Sequence, residues 1–441
     1  MNAAPAPLSL GQAARYWLKL GFVSFGGPAG QIALMHEELV ERRRWISERR
    51  FLHALNYCMV LPGPEAQQLA TYIGWLMHGT RGGLVAGGLF VLPSLLILVT
   101  LSWIYMAYGQ LPAIAGLFYG VKPAVTALVA HAAWRIGSRT LHSVWLWAIA
   151  IGAFVAIFAL HAPFPLIILA AGLAGHLGSR IAPGQFKAGK SHAAMTAQAA
   201  AALIDDGTPP PAHARFSWAR CARVLGVCLG LWLAALAALI ACFGWDGMLA
   251  QMAWFFSKAA LLTFGGAYAV LPYVFQGAVE QQQWLSAAQM IDGLALGETT
   301  PGPLIMVVSF VGFVGAWNQA LFGPEALFAA GATAAAAVCY FTFLPSFCFI
   351  FLGGPVIEST HGNLKLTAPL SGISAAVVGV IVNLALFFAW HVLWPAGGRF
   401  EWPAALIGLG AALALWRFKR GVAPVIAGAA LAGLLLKLSG V

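Results

Sequence analysis

Charge is what this sequence has least of: only 9% of its 441 residues are Asp, Glu, Lys or Arg, against 61% apolar. A water-soluble chain of this length needs far more charge to cover its surface. The solvent implied is a lipid bilayer, and the expected unit is an apolar span of about 20 residues. Such runs occur at 82–105, 224–243, 327–352 and 366–390. Other chemistries are short of material too. Cys58, Cys221, Cys228, Cys242, Cys339 and Cys348 show no metal-ligand spacing and lie mainly in apolar runs, where they read as small buried residues. The histidines outside 179–223 are scattered without an HxxxH or HxH pair, and no phosphate-binding loop is present. No metal, cofactor, ATP hydrolysis or enzymatic activity is therefore expected. Met1–Gln12 carry no basic stretch followed by an apolar core, so a cleaved signal peptide is not expected either. The excess of 24 Lys and Arg over 14 acids, a net +10, sits mostly in loops. It reads as a topology signal, not as nucleic-acid binding.

What is present is a repeat. Lys19, Ser24, Phe25-Gly26-Gly27, Trp45 and Pro62-Gly63-Pro64 return 239 residues later as Lys258, Thr263, Phe264-Gly265-Gly266, Trp284 and Pro301-Gly302-Pro303. A second register at 252 pairs Leu92-Pro93-Ser94 with Leu344-Pro345-Ser346, and Gly120 with Gly372. Two similar apolar halves, each broken by Gly and Pro at matching places, are the pattern of a secondary transporter whose breaks point to the substrate site. The expected units are an N-terminal repeat (1–178), a linker with a connecting span (179–248) and a C-terminal repeat (249–441).

Each half resolves into six apolar segments: 13–35, 51–77, 82–106, 111–134, 145–160 and 163–178, then 250–275, 288–317, 326–352, 366–390, 402–416 and 421–439. With 224–243 between them, the total is thirteen, and the second half is inverted relative to the first. A cytoplasmic N-terminus puts Arg81, Arg135, Arg139, Arg180, Lys187, Lys190, Arg215, Arg220, Arg223, Lys365, Arg417, Lys419 and Arg420 inside, and the C-terminus on the periplasmic face. Besides Arg399, the exception is 37–50, whose Arg42, Arg43, Arg44, Arg49 and Arg50 fall outside. Re-entrant Gly-Gly or Pro-Gly-Pro segments would move that loop inside; both readings stand at this point.

Irregular backbone survives at membrane depth only where it is buried or lines a cavity. Each break frees N–H groups and presents the positive end of the following half-helix, which suits an anion; a packing kink is the plainer reading. Lys19 and Lys258 each stand six residues before a Phe-Gly-Gly, and Lys122 lies in another apolar segment. They read either as ligands for an oxyanion or as side chains snorkelling to the interface. Glu65 follows the first Pro-Gly-Pro and Glu298 precedes the second; they are candidates for a coupling proton. Gln67 and Gln68 lie about a turn beyond the first break and offer hydrogen bonds to an oxyanion.

FGGPAGQIALMHEELV at 25–40, Trp45, LPGPEAQQLATYIGW at 61–75, LPS at 92–94, TFGGAYAVLPYV at 263–274 and LGETTPGPL at 296–304 carry a family resemblance. The chain resembles the long, two-domain form of the chromate transporter family. The resemblance implies a multi-pass inner-membrane protein of about thirteen spans in two inverted halves, exporting chromate with sulfate as a competing analogue. On that reading Ser24, Gly26, Gly27, Pro62, Gly63, Pro64, Gln67, Thr263, Gly265, Gly266, Pro301, Gly302 and Pro303 shape and bind the anion. Lys19, Lys122 and Lys258 add charge, and Glu65 or Glu298 carries the proton. A sulfate permease uses the same physics and is the alternative. A homodimer is compatible with the pattern, which selects no oligomeric state.

Overall fold

The computed structural model describes residues 8–25, 27–182, 185, 202–209, 211–264, 266–360, 367–395 and 398–439. Gly26, Gly265, Lys187, Lys190 and Lys365 lie outside the described residues, and so do the expectations placed on them. Among those described the chain is all α, with one isolated parallel bridge between Ile46 and Ile204. The first half runs α1 (Leu10–Val23), α2 (Gly27–His36), α3 (Glu48–Val60), α4 (Glu65–Tyr108), α5 (Pro112–Thr140), α6 (Val144–Phe158) and α7 (Phe164–Ile181). After α8 (Trp218–Phe243) come α9 (Met248–Leu262), α10 (Ala267–Phe275), α11 (Ala287–Thr299) and α12 (Val307–Asn318). The chain ends with α13 (Leu327–Thr360), α14 (Thr367–Leu393), α15 (Trp402–Trp416) and α16 (Val422–Leu438).

The repeat extends to local geometry. α2 widens into a π-turn over Glu37–Arg42, and α10 does so over Gln276–Gln281, again 239 residues on. Ser47 caps α3 by accepting from Arg50 N (3.3 Å), and Ser286 caps α11 by accepting from Gln289 N (3.2 Å). The recurring tryptophan closes the same loop in each half: Trp45 N donates to Leu39 O (2.7 Å) and Trp284 N to Ala278 O (2.8 Å). Even the left-handed residues correspond, Arg44 (φ 52) with Gln283 (φ 51) and Gly63 (φ 129) with Gly302 (φ 108).

The first two segments of each half double back at their breaks, so of the two readings left open for 13–35 and 51–77 the geometry favours re-entrant hairpins. α4 is interrupted at Gly79 (φ 63, ψ −157), and its arms 65–77 and 80–108 fold back on each other. A Cβ on Gly74 would stand 2.5 Å from Gly82 O and Ala86 Cβ, so only glycine permits this contact. α1 runs beside the second arm, from Leu8 O near His78 Nε2 (2.8 Å) to Gly21 under Leu89 O. It stops at Ser24, level with Ser94, halfway along that arm. α2 then returns to the starting end, where Leu203 N donates to Arg44 O (2.9 Å), Ile204 N to Trp45 O (3.0 Å) and Ser47 Oγ to Asp206 (2.6 Å). α3 descends antiparallel to α13, from Arg50 near Glu358 (3.7 Å), past Tyr57 donating to Phe349 O (2.8 Å), to Gly63 at Ser346.

The second half repeats this from the opposite end. There Asn318 Nδ2 donates to Trp284 O (3.1 Å), while the break reaches inward until Gly302 meets Ser94. The arginine-rich loop 37–50 therefore shares one end with the start of α1, the α4 turn and the linker, which removes the exception to the charge rule.

Among the described residues six helices are long and apolar enough to cross a membrane by themselves: α4, α5, α7, α8, α13 and α14. α6, α15 and α16 are shorter, at 15, 15 and 17 residues, and complete the alternation between them. The halves interlock, since α5 packs on α15 and α16 while α14 packs on α6 and α7. This bundle stands beside a core made of the four re-entrant hairpins with α4 and α13. α8 lies against α9 and α13 and is otherwise bare, with Leu236 its one buried residue.

Candidate functional site

The four breaks meet crosswise, halfway along the second arm of α4 and along α13. Gly63 N donates to Thr263 O (2.7 Å), and its repeat-mate Gly302 N donates to Ser24 O (2.9 Å). Each Pro-Gly-Pro of one half is thus bonded to the Phe-Gly-Gly break of the other. Contact is too close for any side chain: a Cβ on Gly63 would stand 2.6 Å from Ser346 Oγ, and one on Gly302 2.7 Å from Ser94 Cβ. Both glycines also hold positive φ, so substitution is strained twice over. Pro62, Pro64, Pro301 and Pro303 withhold the N–H groups that would let the helices run through.

Four half-helices begin at this level: α2 at Gly27, α4 at Glu65, α10 after Gly266, and α12 through the short turn Leu304–Met306. Their first N–H groups have no partner within the helix. Each start carries about half a positive charge, so four together present about two, matching a dianion. Two buried hydroxyls at the breaks, Ser24 Oγ and Ser346 Oγ, have no partner among the described residues and are free to donate. Thr263 Oγ1 instead donates to Ala259 O (2.7 Å).

Side chains fall into three groups. Gln31 and Gln68 stand at the breaks: Gln31 Nε2 donates to Gly302 O (2.5 Å), and Gln68 Nε2 to Pro62 O (2.7 Å). Glu65 and Glu298 gather at the start of α10, although they are not repeat-mates. Glu65 Oε1 lies 4.0 Å from where a Cβ on Gly266 would be, and Glu298 accepts from Tyr268 Oη. Gln67 is tucked between the two arms of α4, donating to Thr71 Oγ1 (3.0 Å).

The lysines are not brought to the breaks. Lys19 and Lys258 are exposed on the outer faces of α1 and α9, the latter 5.6 Å over the Trp254 ring. That is the snorkelling arrangement. Lys122 Nζ is 3.4 Å from Asp292 Oδ2 and so is neutralised within the protein. The positive field at the centre therefore comes from backbone dipoles.

Sequence reasoning missed Gln31, Ser94, Ser346 and Tyr268. The Leu-Pro-Ser repeat was a usable signal for the two serines. Gln31 and Tyr268 had none, because their repeat-mates are Val270 and Ala29. A separate groove of about 870 Å³ between α5, α14 and α15 is lined mostly by apolar side chains, with Thr126 and Ser138 but no charged group.

A family model described as "Chromate transporter" matches residues 11–176 and 250–434. The "Chromate transport protein" of Pseudomonas aeruginosa is 34% identical, covering 99% of this chain and 94% of its own length. The "Probable chromate transport protein" of Synechococcus elongatus is 30% identical, covering 97% of this chain and 95% of its own. The "Uncharacterized transporter YwrA" of Bacillus subtilis is 33% identical over 160 residues, 35% of this chain and 89% of its own length. No solved structure matches the chain.

Proposed function

The chain belongs to the chromate transporter family, and from that premise we propose that it is a secondary active exporter of chromate in the bacterial inner membrane. The observation that carries the reading is the crossed pair of breaks, Gly63 to Thr263 and Gly302 to Ser24. They set four half-helix starts around one point. A tetrahedral dianion fits such a point because its oxygens accept N–H groups from several directions. Sulfate has the same shape and charge, so it competes for the same donors. Ser24, Ser346, Gln31 and Gln68 supply side-chain donors, each glutamine by turning its amide. The glycines and prolines of the breaks keep the backbone open.

Lys19 and Lys258 drop out of the binding set, and Lys122 acts elsewhere. Glu65 and Glu298, close to the start of α10, are the acids placed to exchange a proton as the anion comes and goes. Expelling an anion from a cell that is negative inside is favoured by about 2.3 kcal/mol per charge per 100 mV. Coupling to protons is therefore an added gain and not a requirement. The basic linker and the arginine-rich loop support a cytoplasmic N-terminus, with the C-terminus on the periplasmic face.

The test is uptake of radiolabelled chromate by inverted membrane vesicles energised with NADH. Uptake inhibited by excess sulfate and collapsed by a protonophore supports a proton-linked chromate exporter. Labelled sulfate moving while chromate does not keeps the anion site and replaces the substrate.

A further inference from the structure

The two halves share a fold but not a covering. The bundle packs on the second half's hairpins: α10 lies against α14 and α7, and α11 against α5, α16 and α14. Among the described residues it makes no comparable contact with α2 or α3, their repeat-mates. Exposure follows: Met59 on α3 is 51% exposed, whereas its counterpart Glu298 on α11 is 8% exposed. Ala29, Gly30 and Ala33 are exposed, while Tyr268, Ala269 and Pro272 are buried. This state is sealed on the second half's end and open on the first half's end.

One ion pair joins bundle to core among the described residues, Lys122 of α5 with Asp292 of α11 (3.4 Å). Asp292 Oδ2 also accepts from Tyr105 Oη of α4 (2.8 Å), and its buried Oδ1 has no partner among the described residues. Among the described residues no other titratable group is recorded in contact with this carboxyl. α12 has none, and Lys437 of α16 and His391 of α14 are exposed. The repeat-mates of Asp292 and Lys122 are His53 and Ser374, so the carboxylate and lysine are not themselves repeated in the first half.

We propose that Asp292 and Lys122 form a proton-operated latch that holds the bundle on the second half's hairpins, and that its release lets the bundle cross to the first half's. Protonation of Asp292 removes the charge that Lys122 pairs with, leaving a neutral acid that still accepts from Tyr105. The bundle then seats on α2 and α3, sealing one end as the other opens. Asp292 and Lys122 are positioning residues that never touch the anion. The proposal rests on the transporter reading and assigns it the step at which a proton changes the open side.

Hydrogen–deuterium exchange, without any anion and at a single pH, tests this on wild type, Asp292→Asn, Asp292→Glu and Lys122→Gln. Asp292→Asn and Lys122→Gln are expected to exchange about tenfold faster over 267–299 and more slowly over 27–60, with Asp292→Glu close to wild type. Unchanged exchange in both hairpins, or faster exchange in both together, overturns the latch. In proteoliposomes Asp292→Asn should flatten the pH profile of chromate flux while half-saturation stays within about twofold. An unaltered pH profile overturns it. Wild-type protein that moves no chromate but shows the exchange contrast overturns the substrate and supports the latch.

Discussion

Gly63 and Gly302 are the residues on which the centre turns, because each combines positive φ with a neighbour within 2.7 Å of any added Cβ. A left-handed alanine costs about 1–3 kcal/mol before the clash is counted. Gly63→Ala and Gly302→Ala should therefore each lower chromate flux by about 10- to 100-fold with the protein still in the membrane. Flux at the wild-type level in either variant would show that the breaks are packing kinks. Lys19→Ala and Lys258→Ala should leave half-saturation within about twofold, since both ammonium groups face outward; a tenfold rise would return them to the site. The glycines and prolines were legible because the repeat marked them twice. The lysines were marked twice as well, yet repetition alone does not say which face of a helix a residue occupies. Gln31 and Tyr268 were invisible for the opposite reason, being polar in one half and replaced by Val270 and Ala29 in the other.

Among the elements, the re-entrant hairpins were the hardest to read. An apolar segment such as 51–77 has the length of a span, and Pro62-Gly63-Pro64 marks a break without saying whether the chain runs on or reverses. The reversal is fixed by long-range contacts, of Arg50 with Glu358 and Gly63 with Ser346, which no local pattern encodes. The charge rule did register the problem, as five arginines on the wrong side. In oriented vesicles, a cysteine introduced by Arg49→Cys should react with an impermeant thiol reagent from the side that exposes the linker. Labelling from the other side would restore two spanning segments.

The linker itself is strapped to this end, with the His213 ring edge-on to Trp75 (5.4 Å). Burial there pushes the His213 pKa below the ordinary 6.5, so docking favours the neutral ring. The docking stability is full above that range and is lost as pH falls through it. Limited proteolysis across 202–214 should accelerate between about pH 7.5 and 5.5 in wild type and become pH-independent in His213→Gln. Equal acceleration in the variant would assign the effect to another group.

Over the whole molecule, inverted halves supply two equivalent backbones, and the side chains differentiate them. The first half's hairpins carry Gln31, Glu65, Gln67 and Gln68, whereas the matching positions are Val270, Leu304, Met306 and Val307. The amide donors thus come from one half, while the other adds the Ser346 hydroxyl and the Glu298–Tyr268 pair, and both contribute helix starts. Duplication and the all-helical class could be read from the sequence. The crossing of the breaks could not, because it depends on how the halves face each other. The central claim is that this crossing holds the anion, and chromium supplies its own marker. Anomalous X-ray scattering from crystals soaked in chromate should place one chromium between the starts of α2, α4, α10 and α12, level with Ser94 and Ser346. Chromium at Lys19 or Lys258, or an empty centre with flux intact, would contradict the account.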